Sequence, residues 1–287
     1  MTRVAYLGPE GSFSEEAAMR HFGSAAELVA FPEITAVISA LTHHLVDQAV
    51  VPIENSIEGS VSVTLDQLIH SERAPRIVAE LNLPVHHHLV ARPGTTLSDI
   101  ERVVAHPQAL AQCRLFMLEH LPQVQVLPAL SNSAAVSSLV HSSNIAAIGN
   151  ERAARRYGMA ILAEDIQDTT DNTTRFVVLG YEPVPATGND KTSICCSIAE
   201  DHPGSLVAIL REFSDRRINL TKVESRPTRG GLGKYFFLID LQGHESDNEV
   251  SGALKGVRQK SEALLVLGSY PAADVSVGRE EQSVTRE

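Results

Sequence analysis

Residues 2–22 read TRVAYLGPEGSFSEEAAMRHF, and this stretch decides the fold. Residues 4–7 are a short apolar run of strand type. Gly8-Pro9-Glu10-Gly11 interrupts it, and Ser12 followed by Glu15 has the capping-box spacing that opens a helix running to residue 22. Strand, glycine-bearing turn and helix in that order are the repeating unit of a parallel α/β sheet. The turn then lies at the carboxyl end of the strand, where ligands bind.

The unit repeats along the chain. Strand-type runs at 28–31, 48–53, 77–83, 85–91, 103–105, 124–127, 145–148, 161–162 and 176–179 are interleaved with helical patterns at 34–45, 60–70, 107–121, 133–141 and 151–157. Pro32 suits the first turn of the second helix. The fold class is therefore α/β with mostly parallel strands. Two smaller sheets flanking a cleft satisfy the pattern as well as one large sheet does. Residues 181–190 carry two prolines, a glycine and few apolar side chains, as a linker does. After it come a strand at 193–198, a helix at 203–215, strands at 219–225 and 234–241 around a glycine-rich hairpin turn at 228–233, a helix at 248–261 and a strand at 264–267. This βαββαβ order is ferredoxin-like. The polar tail at 272–287 is expected to fray.

With 287 residues, 43% apolar and 21% charged, the chain can bury a core without staples. A net charge of −11 argues against a nucleic-acid partner. No apolar run approaches the roughly 18 residues of a membrane span, and the first strand meets its turn too early for a signal peptide. Cytoplasm is the default expectation. Cys113, Cys195 and Cys196 make no disulfide framework and read as small buried hydrophobes, with Cys195 and Cys196 on opposite faces of a strand. No metal site is expected. His86-His87-His88 lies in an alternating strand that separates His87 from the other two, and His43 and His44 diverge on a helix. The chain has no phosphate loop, dinucleotide fingerprint or Gly-x-Ser-x-Gly elbow, so neither a redox cofactor nor a covalent nucleophile is expected. Hydrogen bonding, acid assistance and charge positioning remain.

The strand-to-helix junctions at 8–12, 54–60, 106–108, 131–133 and 149–150 are rich in hydroxyls, amides and glycine and poor in lysine. Each taken alone reads as ordinary N-caps and turns. Together they describe a polar pocket lined by helix N-termini. In DNTTRFVVLG (171–180), Thr173, Thr174 and Arg175 stand directly before an apolar strand, and Arg175 is the cation expected at the pocket. In the C-terminal unit, Pro203-Gly204-Ser205-Leu206 opens a helix, and Glu224, Ser225 and Arg226 end a strand.

GPEGSFSEEAA (8–18), VVPIENSIEGSV (50–61), HPQALAQC (106–113), AAIGNERAARRYG (146–158), DNTTRFVVLG (171–180) and INLTKVESRP (218–227), taken in order, resemble the prephenate dehydratases. The likeness runs from residue 4 to about 271. It implies a two-lobed, periplasmic-binding-protein-like catalytic part (1–180), a linker (181–190) and an ACT regulatory domain (191–271). The implied reaction is loss of CO2 and a hydroxyl from prephenate to give phenylpyruvate, without cofactor or metal. Thr174 is then the catalytic threonine, joined by Asn55, Ser131, Ser133 and Arg175, with Ser12, Ser56, Asn132 and Thr173 at the substrate. Phenylalanine is the implied effector, held between ACT modules of paired subunits by Gly204, Ser205, Leu206, Asn219, Leu220, Glu224, Ser225 and Arg226. That arrangement makes the protein a homodimer or homotetramer.

Three positions depart from the family pattern: Ser12 and Asn132 stand where threonine is common, and Ser205 stands where alanine is common. No chorismate mutase segment precedes the first strand, so the monofunctional form is expected. Arogenate dehydratase is the rival enzyme reading. A non-catalytic amino-acid-responsive binding protein is the rival from another class.

Overall fold

The computed structural model describes the chain except residues 72, 142–143, 199–201, 228–234 and 274–287. The glycine-rich turn at 228–233 and nearly all of the polar tail lie outside the described residues. The chain forms two compact units, Met1–Leu65 with Asn82–Phe176, and Asp66–Leu81 with Val177 onward.

In chain order the elements are β1 (Thr2–Leu7), α1 (Phe13–Phe22), β2 (Ala26–Phe31), α2 (Ile34–Thr42), β3 (Gln48–Asn55), β4 (Gly59–Ser60), α3 (Ser62–His70), β5 (Arg76–Pro84), β6 (His88–Ala91), β7 (Arg102–Ala105), α4 (Pro107–Gln112), α5 (Arg114–His120), β8 (Gln125–Pro128), α6 (Asn132–Ser138), β9 (Ile145–Gly149), α7 (Glu151–Arg156), β10 (Ala160–Ala163) and β11 (Thr173–Gly180). The C-terminal module adds β12 (Asp190–Ser197), α8 (Ser205–Ser214), β13 (Leu220–Pro227), β14 (Tyr235–Gln242), α9 (Asn248–Lys260) and β15 (Ala263–Pro271).

Two sheets carry the first 180 residues, ordered β2-β1-β3-β11-β5 and β10-β6-β9-β7-β8. β1 is parallel to β2 and β3, and β7 is parallel to β8 and β9. β6 is antiparallel to both β9 and β10, so the second sheet is mixed. The chain leaves the first sheet after Pro84 and returns to it at Thr173. Val4, Ala5 and Tyr6 of β1 and Ala49, Val50 and Val51 of β3 are all buried, as central strands covered on both faces must be. In the second sheet the alternation of strand side chains serves two helical layers. Leu89, Val103 and Ile148 pack with Ala109, Cys113 and Met117, while Val90 and Ala147 pack with Val136, Leu139 and Ala153.

Three local differences from the sequence reading matter for the site. The helix expected at 107–121 is broken at Cys113, whose backbone (φ −114°, ψ 22°) is not helical. The strand expected at 85–91 starts only at His88, because Val85 N–H bonds Asn172 O instead of a ladder partner. β11 begins at Thr173 rather than at 176, so its polar residues are mounted on the strand itself.

The C-terminal sheet has the order β13-β14-β12-β15, antiparallel throughout, as the ferredoxin-like reading requires. Ile194, Cys196, Phe237 and Ile239 pack against Ile209 and Phe213 of α8 and Val250 and Val257 of α9. Burial pushes the Cys195 and Cys196 thiols up to about 12 and about 11, so both are inert hydrophobes. Residues 66–81 belong to this unit for a specific reason. Glu80, with 1% of its side chain exposed, takes Lys191 Nζ on both oxygens at 2.7 and 3.0 Å and accepts Ala273 N–H at 2.9 Å. Arg76 pairs with Glu245 at 2.6 Å, and a Cβ at Gly268 would stand 2.1 Å from Ile77 O. Backbone meets backbone there, and only glycine fits.

Removing one partner of a buried ion pair strands the other. Glu80→Ala is therefore expected to lower unfolding free energy by about 3–5 kcal/mol, read from denaturant titration of the full chain. A loss below about 1 kcal/mol, the range of a surface pair, would contradict this account.

Candidate active site

A cavity of about 430 Å³ opens where the carboxyl ends of the two sheets face each other. Phe13, Asn55, Glu58, Ser60, Asn172 and Thr174 line it from the first lobe, and His87, His106, Gln108, Gln112 and Asn132 from the second. None of the lining residues is a lysine or arginine.

Backbone geometry dictates the direction of the hydrogen bonds inside. The turn after β3 aims Ile57 N–H and Glu58 N–H at Asn55 Oδ1, at 2.9 and 3.0 Å. Two amide donors on one atom identify it as the carbonyl oxygen. Asn55 Nδ2 must then face the other way, where it donates to Asn172 Oδ1 at 2.7 Å and Thr174 Oγ1 at 2.9 Å. Thr174 is thus an acceptor toward Asn55, and its own O–H hydrogen is left to point elsewhere. Asn172, 2% exposed, turns Nδ2 toward Gln112 Oε1 at 2.9 Å. Gln112 Nε2 in turn faces Glu58 Oε1 at 3.5 Å, across the cleft. Asn132 Oδ1 accepts His106 N–H at 3.0 Å, which leaves its Nδ2 as the donor end.

Of the expected site residues, the structure brings Asn55, Asn132 and Thr174 to the cavity. The others hold its walls. Ser12 caps α1 through Glu15 N–H and donates to Leu7 O. Ser56 Oγ donates to Asp171 O and accepts Thr173 N–H, while Ser56 N–H donates to Thr173 O, so this pair staples the β3 turn to the start of β11. Ser131 caps α6 through Ala134 N–H. Ser133, 3% exposed, donates to Glu10 O, and a Cβ on Gly11 (φ +82°) would lie 2.8 Å from its Oγ. Arg175, expected at the pocket, instead places Nη1 3.5 Å from Glu54 Oε2, with 12% of its side chain exposed. A strand's alternation turns it to the face opposite Thr174.

Lobe-to-lobe fastening involves residues the sequence did not single out for it. Glu15 Oε2 accepts both Gly11 N–H and Arg152 Nε, each at 2.7 Å, and Arg156 pairs with Glu10. Burial and the neighbouring Glu15 push the Tyr6 hydroxyl up to about 12. Sequence reasoning also missed Gln112 and Asn172 as site groups, while Gln108 lies in the 106–108 junction expected at the pocket. Gln108 and Gln112 sit four apart at the mouth of a predicted helix, a spacing that puts them on one face and was readable.

In the C-terminal module, Gly204 opens α8 with φ +99° and Ser205 Oγ accepts His202 N–H. Leu206 and Leu220 pack on the module's core. Asn219 O accepts Gln242 N–H. Glu224 lies 3.2 Å from Lys222, and Arg226 lies 3.6 Å from Asp66. Ser225 faces the opposite side of β13 from both. Among the described residues no group of three or more His, Cys, Asp and Glu is placed to hold a metal ion.

Residues 4–184 match the prephenate dehydratase family. The chain belongs to the prephenate dehydratase family. Residues 197–259 match the ACT domain. A prephenate dehydratase of Mycolicibacterium vanbaalenii is 40% identical over 291 residues, covering 96% of this chain and 93% of that one. A solved structure of prephenate dehydratase from Arthrobacter aurescens in complex with L-Phe is 41% identical, with a TM-score of 0.86, over 94% of this chain and 90% of that one. The same fold also occurs in GqqA, described as a novel type of quorum quenching acylase, at 26% identity and a TM-score of 0.84 over 94% and 98% of the two chains.

The polarity at Asn55 yields a test. Asn55→Asp keeps the oxygen that Ile57 and Glu58 hold but turns the Thr174-facing atom into an acceptor. Thr174 O–H then donates to Asp and is lost to a ligand. Prephenate turnover is expected to fall about 10²–10³-fold, with KM changed less than about threefold. Turnover within about threefold of wild type would show that this polarity is not used.

Proposed function

We propose that this cleft converts prephenate to phenylpyruvate as a carbon–oxygen lyase, and that phenylalanine regulates it through the ACT domain. The observation that carries the reading is the Asn55 Nδ2 to Thr174 Oγ1 hydrogen bond, which leaves Thr174 O–H as a directed donor at the cavity. Prephenate loses its ring carboxylate as CO2 and its hydroxyl, with one proton, as water. The ring becomes aromatic, which drives the reaction. The protein must orient the substrate and ease departure of the hydroxyl.

Thr174 is too weak an acid to surrender its proton, so it serves as a hydrogen-bond donor to the departing oxygen. Such a donor is worth about 3–4 kcal/mol, or 10²–10³ in rate. The strand mount of β11 keeps its aim stiff. Asn132 and Gln112 supply amide donors for the substrate's oxygens. Ser12, Ser56, Thr173, Ser131 and Ser133 hold the loops that bring these groups together. Arg175 acts from the flank, as positive charge one residue beyond Thr174. The catalytic part is taken as 1–180 and the regulatory part as 191–271, joined by 181–190.

Glu58 favours a second substrate. Among the described residues it is the one carboxylate side chain lining the cavity, and it suits the ammonium of arogenate better than the ketone of prephenate. For regulation, the L-Phe complex of the Arthrobacter aurescens relative supports phenylalanine as the effector. We place the effector site at Gly204–Leu206 and at Asn219, Leu220 and Glu224–Arg226, between ACT modules of a homodimer or homotetramer. β13 is an edge strand of its sheet and offers a pairing surface. No helix among the described residues is long and apolar enough to cross a membrane; a biosynthetic enzyme of this family is assigned to the cytoplasm.

The test is direct. Purified full chain is mixed with prephenate, phenylpyruvate is read by absorbance in alkali, and the assay is repeated with phenylalanine. Product that phenylalanine alters is expected. Thr174→Ala should lower kcat by about 10²–10³ with KM little changed. A variant that mainly raised KM would remove the donor role. No product from folded protein would remove the prephenate reading and make arogenate the next substrate to assay.

A further inference from the structure

The polarity fixed at Asn55 reaches one more residue. Gln112 Oε1, already identified as the oxygen by Asn172 Nδ2, also contacts His87 Nε2 at 3.1 Å. An oxygen cannot donate, so His87 Nε2 carries the hydrogen. His87 is 3% exposed and lines the cavity, and its Nδ1 has no hydrogen-bond partner among the described residues. Its backbone N–H is held by Gln167 Oε1 at 2.8 Å, and Phe13 stands edge-on to its ring at 6.0 Å. The ring is thus fixed in place and in tautomer.

We infer that His87 is a positioning residue for this reaction, acting through Gln112: its Nε2–H pins the Gln112 oxygen so that the Gln112 NH2 group faces the cleft as a donor. Without that hydrogen, the Gln112 amide can rotate and present its oxygen to an anionic substrate. Asn172 would then be the one close partner of its oxygen, with only the long 3.5 Å contact of its Nε2 to Glu58 on the other side. The role needs the imidazole neutral, with Nδ1 bare. Burial holds its pKa below the ordinary 6.5, against the upward pull of the Gln112 hydrogen bond. Protonation would place a second N–H in a buried position that has no acceptor for it.

This inference rests on prephenate turnover in the cleft, but its first test does not. Nitrogen-15 NMR of the histidine rings in the wild-type full chain, with the His87 signals assigned by their absence in His87→Gln, reports the tautomer at neutral pH. Hydrogen on Nε2 and a bare Nδ1 are expected. Hydrogen on Nδ1, or an imidazolium, would overturn the proposal whether or not the protein turns over prephenate. The second test is kinetic. His87→Phe keeps a ring but no donor, and is expected to lower kcat about 10–100-fold with KM within about threefold. His87→Gln can place an N–H near the Nε2 position and is expected to recover kcat to within about fivefold of wild type. Equal losses in the two variants would show that ring shape, not the donor, is what matters. Wild-type protein inactive on prephenate would count against the proposed function, while the tautomer would still judge His87.

Discussion

Two backbone N–H groups, of Ile57 and Glu58, converge on one oxygen of Asn55, and the orientations of Asn172, Thr174, Gln112 and His87 depend on that convergence. Side-chain amides and hydroxyls can point either way; main-chain amides cannot. Once Asn55 is oriented by the chain itself, Asn172, Thr174 and Gln112 have one consistent arrangement each. The turn that makes this possible is held by Ser56, which bonds Asp171 and Thr173 and so ties the loop after β3 to the strand bearing Thr174. A change in any of these bonds is felt at the reacting centre through orientation rather than through charge.

Among the described residues no lysine or arginine lines this cleft, although its proposed substrate is an anion. Arg152 and Arg156 are committed to Glu15 and Glu10, and Arg175 lies beside Glu54. In the proposed reaction, neutral amide donors bear the recognition, assisted by helix termini such as that of α4, which Pro107 begins. Such a site discriminates by geometry. It also makes a carboxylate such as Glu58 more conspicuous than it would be among arginines.

Much of the architecture was legible in the sequence because hydrophobic periodicity and turn residues are local signals. The strand and helix of residues 2–22, the βαββαβ order and the cap at Ser12 all appear near their expected positions. The boundaries that moved did so for tertiary reasons. β11 was read as starting at Phe176 because Thr173–Arg175 look like loop, yet pairing within the sheet extends the strand through them. Ser133 and Arg175 were read as site groups from the family resemblance, and Arg175 also from its place before an apolar strand. Neither signal reveals which face of a strand or helix turns toward a cavity, and here Ser133 bonds Glu10 O and Arg175 lies beside Glu54. Asn172 was overlooked for the converse reason, since an isolated amide in a polar stretch carries no signal until its partners are known; Gln112 was overlooked although its spacing from Gln108 was readable.

The buried pairing of Glu80 with Lys191, and the backbone contact of Gly268 with Ile77, give residues 66–81 a double allegiance. They lie in the sequence between the cleft's loop and its second lobe, yet they pack as part of the regulatory unit. The ACT domain here is not a bead that could be cut away at the linker and exchanged for another. Its removal would bare a carboxylate and the backbone at Ile77 on what was left behind. A graft from a relative would have to bring its own counterpart of residues 66–81, so the two parts of this chain are constrained to evolve together.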